Sequence, residues 1–239
     1  MPSKLLILDS EHRVSGGSPN KFTVSMKNSN LSNIKQVSLI LFRSINSQYN
    51  VSQSNNVIEY SYDGVDKKVT VPVGQYSVTT FITAVNSLQT AFVLDINDLN
   101  LRFTWTSNGL PLTIYSTPSV DELLGLNTDL EDLIGGFEMQ SPLLPDLSGL
   151  SVIHVASDRL SHGNSILSNQ TTGNILSSVP VNSPFGFPLV YTSDSRDNSD
   201  NTNFQVPQDI SQVDIELLDH NYRPANLLSE VHIVLKVIY

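Results

Sequence analysis

The chain has no cysteine among its 239 residues. Disulfide frameworks, cysteine-based zinc sites, iron–sulfur clusters and thiol nucleophiles are thereby excluded. Charge is scarce as well: Asp, Glu, Lys and Arg make up only 15%, against the usual quarter. Thirteen basic residues face 23 acidic ones, for a net charge of −10, and the basic residues form no block. Holding nucleic acid by neutralising phosphates needs a clustered basic face, so no direct nucleic-acid binding is expected. No apolar run reaches the length of a membrane span. The opening Leu5-Leu6-Ile7-Leu8 patch is cut off by Asp9, too soon for a signal-peptide core, which predicts a chain that is not secreted. On that reading the sequons at Asn30, Asn50 and Asn169 never meet the glycosylation machinery. Catalytic motifs are missing too. There is no G-x-S-x-G and no HExxH. Gly16-Gly17 and Gly135-Gly136 both lack the rest of a phosphate-binding loop.

What the chain does have is serine and asparagine, 33 and 22 residues. Both hydrogen-bond the backbone locally and favour turns over helix interiors. The length allows one large β domain or two small ones, with about 70% of the unfolded surface buried on folding. Strand alternation is frequent. Phe22, Val24 and Met26 oppose Lys21, Thr23 and Ser25; Leu101, Phe103 and Trp105 oppose Arg102, Thr104 and Thr106. Val69, Val71 and Val73 alternate with polar neighbours, as do Val213, Ile215 and Leu217. In the last strand Val231, Ile233, Leu235, Val237 and Tyr239 share one face. Val234 and Ile238 lie on the other, which predicts that a neighbour covers it. Further strands are expected at 4–9, 37–45, 57–62, 151–156, 175–181 and 189–191. Two stretches break the pattern. Residues 77–92 carry apolar side chains at helical spacing behind Ser77 as N-cap. Ser119-Val120-Asp121-Glu122 has the form of a capping box, with Gly125 as the stop. Asn108-Gly109 is expected to close a hairpin between 101–106 and 112–115. Residues 74–126 therefore form a helix–hairpin–helix insertion in a larger β frame. Residues 193–203, with no apolar side chain, are expected to be a solvated loop.

Candidates for chemistry are few. His12, His154, His162, His220 and His232 show neither the i, i+4 nor the H-x-H spacing of metal sites. Asp194, Asp197, Asn198 and Asp200 supply oxygen ligands of the kind calcium takes, but not at EF-hand spacing. Asp129, Glu131 and Asp132 read as an exposed turn, and Arg159 and Arg223 as local or interfacial pairing partners. No catalytic, cofactor-binding or metal residue is assigned, and the chain is expected to be a structural or binding protein rather than an enzyme.

Four passages resemble the minor capsid or penton proteins of eukaryotic double-stranded DNA viruses: virophages, Polinton-like viruses and large DNA viruses. Leu6-Ile7-Leu8-Asp9-Ser10, with Arg13 and then Asn20-Lys21-Phe22-Thr23-Val24, is similar to their opening "LDSxxR…DFxV". Residues 37–51, ending Gln48-Tyr49-Asn50-Val51, resemble "VxLxxxxIPNTxYNI", with Asn46-Ser47 in place of Pro-Asn. Val73-Gly74-Gln75-Tyr76-Ser77 resembles "PxGxYT", and Ser119–Leu126 resembles "xxxLLGF". The resemblance implies an all-β fold over 1–239, a single jelly-roll sandwich with residues 74–126 inserted. It also implies a capsid-vertex protein of the virion that forms pentamers, contacts the major and other minor capsid proteins, and is assembled inside the host cell. About 18 residues before the second strand are expected to act as an arm. The alternatives are a trimeric bridging capsid protein, or a carbohydrate-binding adhesion jelly roll. The latter needs an aromatic platform, and the only tryptophan, Trp105, falls on an inward face.

Overall fold

In a computed structural model the described residues are 2–14, 16–26, 31–118, 120–126, 133–135, 137–161, 165–166, 172–193 and 201–239. The chain begins with β1 (Ser3–Asp9), β2 (Lys21–Ser25) and the long β3 (Leu31–Ile45). It continues through β4 (Val57–Tyr62), β5 (Val65–Thr70), α1 (Val78–Leu88), β6 (Phe92–Ile96), β7 (Phe103–Ser107), β8 (Leu112–Ile114), α2 (Asp121–Leu124), β9 (Leu133–Gly135) and β10 (Glu138–Gln140). Then come β11 (Val152–Ala156), α3 (Asp158–Ser161), the short β12 (Ser165–Ile166) and β13 (Thr172–Gly173), β14 (Ile175–Pro180) and β15 (Pro188–Thr192). Last are β16 (Asn201–Ile210), β17 (Gln212–Leu218) and β18 (His232–Ile238). The elements fall into two compact units, residues 1–48 with 150–239, and residues 49–149.

The first unit is a jelly roll. One sheet runs β1-β18-β3-β15, with β16 also paired to β3; the other runs β14-β11-β17-β2. β15 and β16 take successive stretches of β3, so together they fill one strand position. Setting aside the β12–β13 hairpin, the eight positions in chain order make sheets 1-8-3-6 and 5-4-7-2. The pairs 1·8, 2·7, 3·6 and 4·5 are those of one long hairpin wrapped on itself, all antiparallel. Period-two burial drives the wrap: β17 and β18 turn Val213, Ile215, Leu217, Ile233, Leu235 and Val237 inward. The strand expected at 4–9 is β1, in which Leu6 and Leu8 find Leu235 and Ile233 across the ladder, so this part of the first 18 residues belongs to the sheet and not to an arm.

The second unit holds a three-stranded sheet (β10-β7-β6), a four-stranded sheet (β5-β4-β8-β9) and α1. Aromatic rings fill its core. Phe92 meets Tyr60 and Trp105 edge-on, both at 5.2 Å, and Phe81 of α1 stacks on Phe103 at 6.0 Å. Trp105 is fully buried and donates from Nε1 to Ser141 Oγ at 3.1 Å.

Several sequence expectations change here. The unit covers 49–149 rather than 74–126. β4 belongs to it, because the Asp63-Gly64 turn locks β4 onto β5 and β8 takes the other edge. The hairpin is β6–β7; β7 and β8 lie in different sheets. Asn108 does not close the expected hairpin, because its N–H goes to Ala91 O and extends the β6 ladder. Leu101 lies outside β7, exposed and at positive φ. α1 begins at the predicted Ser77 cap, in a reciprocal pair with Thr80, but ends at Leu88. There the Gln89 amide bonds both N–H and C=O of Phe92, and the Asn86 amide does the same for Leu94. Val120, with no side-chain cap, precedes α2, and Ser119 lies outside the described residues. Residues 201–203 of the expected loop are strand, and residues 194–200 lie outside the described residues.

Gly125 stops α2 at φ 66°, where a Cβ would sit 2.4 Å from Leu143 O. Gly109, at φ 95°, has nothing within 4 Å of that position. Gly125→Ala should therefore cost about 3 kcal/mol and Gly109→Ala about 1 kcal/mol in urea unfolding. Equal losses would show that the close approach at Gly125 does not matter.

Candidate functional site

The described residues include no set of three or more His, Asp or Glu placed to hold a metal ion. The passages singled out in the sequence lie instead at joints of the fold. Asp9 caps the turn after β1 by accepting from Glu11 N at 3.0 Å. Ser10, fully buried, exchanges bonds with Val231: its N–H goes to Val231 O, and its Oγ accepts from Val231 N at 2.8 Å. The Ser10 hydroxyl donates to the Glu230 carboxylate. Arg13 grips the same carboxylate at 3.0 Å and donates from Nε to Gly17 O. The Ser10 bond, followed by Arg13, holds the Glu230 carboxyl below its usual range. The Asp-Ser-x-x-Arg pattern is thus a clamp that fixes the end of β1 to the start of β18.

The second joint is Asn50, 6% exposed. Its Nδ2 donates to Tyr76 O at 2.8 Å and to Leu147 O at 2.7 Å, and its Oδ1 accepts from Tyr76 N at 2.9 Å. Val51 and Gly74 exchange backbone bonds beside it. The Tyr-Asn and Gly-x-Tyr passages therefore meet, and one amide ties the first and last turns of the 49–149 unit. Its burial also removes Asn50 as a glycosylation acceptor. Asn30 and Asn169 lie outside the described residues.

The remaining candidates are dispersed. His12 ends the short turn after β1. His154 stacks on Tyr222 (centroids 5.0 Å, 17°) and its Nδ1 lies 2.8 Å from Ser178 Oγ. Burial pushes its imidazole down, opposed by Asp219 and reinforced by His220. His232 sits 3.7 Å from Asp9. Arg159 pairs locally with Asp214 at 3.8 Å, and the Arg223 N–H bonds Asp219. His162, Asp129, Glu131, Asp132, Asp194, Asp197, Asn198 and Asp200 lie outside the described residues. A groove of about 610 Å³ opens beside β2, lined in part by Lys21, Asp158, Asp214 and Glu216. Its charges are engaged: Lys21 pairs with Glu216 at 3.0 Å, while Asp214 accepts from Ser157 Oγ and from the N–H groups of Asp158 and Arg159. Asp214 thus caps α3 from a neighbouring strand.

The feature that composition alone did not place is the outer face of the β1-β18-β3-β15 sheet. Ile7 lies opposite Val234, and Val234 opposite Leu41. Leu5 and Ile7 are 64% and 62% exposed, and Ile45 and Val190 about half exposed. Alternation along β1 signals it, since Leu5 and Ile7 are apolar on the face opposite Leu6 and Leu8.

No protein-family model matches the chain, and no curated protein sequence matches it. Among solved structures it is similar to the mavirus penton protein, with a TM-score of 0.50 and 11% identity over 99% of each chain. At that identity the likeness concerns the fold, and it takes in both units.

Two outcomes follow from the joints. Asn50→Ala strands one N–H and two carbonyls and should cost about 3 kcal/mol in denaturant unfolding. Asn50→Asp should cost more, because it sets a carboxylate against both carbonyls; a milder Asp variant would contradict the assignment of Nδ2. For Glu230, a carboxyl lowered in the folded state stabilises above its ordinary value of 4.5, and that contribution fades as pH falls through the lower folded value. The stability advantage of wild type over Glu230→Gln should therefore shrink from about pH 4.5 downward in thermal melts, and a constant difference would disprove the clamp's charge.

Proposed function

We propose that this chain is a structural capsid protein of a eukaryotic double-stranded DNA virus, and within that class a penton that closes icosahedral vertices as a pentamer. The observation that carries the reading is the end-to-end likeness to the mavirus penton protein, which includes the segment inserted between the third and fourth sandwich strands. The sequence resemblance supports it as well, and three of its four passages take part in the Ser10–Glu230–Arg13 and Asn50 joints. On this reading the partners are further copies of the chain and the major and minor capsid proteins, and the protein resides in the virion at the vertex. Its role is mechanical and involves no reaction. Low charge suits that role, because wide subunit contacts then desolvate few ions.

The adhesion alternative loses its best candidate for a sugar platform, since Trp105 is enclosed by Phe92, Phe103 and Ser141.

Native mass spectrometry of the purified protein tests the penton assignment. Pentamers are expected. Trimers would point to a bridging minor capsid protein, and monomers, together with vertex density in the virion that the chain does not fit, would end the capsid-vertex reading.

A further inference from the structure

β1 is an edge strand: among the described residues it pairs only with β18. Tyr239 N bonds Pro2 O at 3.2 Å and Ser10 N bonds Val231 O at 2.9 Å. In an antiparallel ladder the bonded pairs alternate, so the even-numbered residues face β18. The N–H and C=O groups of Ser3, Leu5, Ile7 and Asp9 therefore point away from the sheet. Leu5 and Ile7 also carry the most exposed side chains of the apolar outer face.

Four other edges are blunted. The free side of β2 is covered by the preceding turn, with Val14 N on Thr23 O and Ser18 exchanging bonds with Lys21. β14 ends on Pro180 and β15 begins on Pro188. β5 presents Asp66, Lys67 and Lys68. Charges, prolines and covering loops are the usual protection of a sheet edge. β1 carries charge only towards its ends, at Lys4 and Asp9, and the four residues between them, Leu5–Leu8, are apolar with no proline among them.

We propose that the free edge of β1 pairs with β1 of a second copy of this chain, antiparallel about a two-fold axis at Leu6 and perpendicular to the sheet. The register is self-complementary. Leu5 falls opposite Ile7 of the second copy and Ser3 opposite its Asp9, so all four outward residues of each chain exchange backbone bonds. No like charges face each other, and the two leucines and two isoleucines form one apolar row on the outer face. The far edge of the same sheet makes a poorer partner, because Pro188 has no N–H and leaves β15 only Val190 and Thr192 as outward donors. The contact goes beyond the penton reading: an isologous pairing closes at two and does not build a ring.

Sedimentation velocity and native mass spectrometry of wild type, Ile7→Pro and Leu5→Lys test this. The Ile7 N–H points away from β18, so proline removes a free-edge donor and spares the internal ladder. Wild type is expected as dimers, or as paired rings, and the mass should halve in both variants with the melting temperature preserved. Leu5→Lys carries the test if Ile7→Pro fails to fold. Wild-type monomers, or assemblies whose mass neither variant changes, overturn the pairing. Pentamers unaffected by the variants would overturn it and leave the penton reading standing. Dimers that both variants dissolve, with no pentamer, would support the pairing and count against the penton reading.

Discussion

The pairing of Ser3–Asp9 with His232–Ile238 is the constraint on which the sandwich depends. These strands lie at opposite ends of the sequence, and every other pair of the first unit nests inside theirs. Without that pair, β18 keeps only β3 as a neighbour, and the apolar inner face of β1 returns to water. The Ser10–Glu230–Arg13 clamp sits where this outermost pair begins to separate; alternation forbids a slip of one residue, and these polar contacts oppose the slip of two that alternation would allow.

The composition becomes intelligible at the same level. A chain poor in charge still has to satisfy backbone groups wherever strands turn. Here side-chain amides and hydroxyls do so. Asn46 bonds Ser183 O, Asn50 bonds Tyr76 and Leu147, Asn56 bonds Val71 O, and Asn86 and Gln89 pair with β6 as if they were strand backbone. Abundant Ser and Asn thus reflect a fold rich in corners.

Faces were legible in the sequence and partners were not. Alternation in Val213–Leu217 and in the last strand identified the buried side chains, and the inward placement of Trp105 followed from its neighbours. Alternation says nothing about which strand lies alongside, so β4 looked like part of the sandwich and Asn108-Gly109 like a simple hairpin. β6 was hidden because Phe92 continues the helical spacing of α1 until the Gln89 amide turns the chain. β16 was hidden by its polar Asn201-Thr202-Asn203 start, and the shift in its register around Pro207 fits an edge strand. The joints were visible as motifs, but their work was not. A buried serine that bonds a residue 220 positions away has no local signature.

The nesting of strand pairs also sets an order in time. The 49–149 unit closes through contacts between residues at most about a hundred positions apart, and its two ends meet at Asn50 and Leu147. It can fold while the rest is still being translated. The sandwich cannot, because β1 and β3 await β18, whose residues are made after those of all the other strands. During that interval Leu6, Leu8, Val37 and Leu39 have no inner-sheet neighbour. Slow closure of distant pairs leaves a nascent chain open to mispairing. How quickly the finished chain brings β18 onto β1 and β3 then bears on how much of it escapes mispairing.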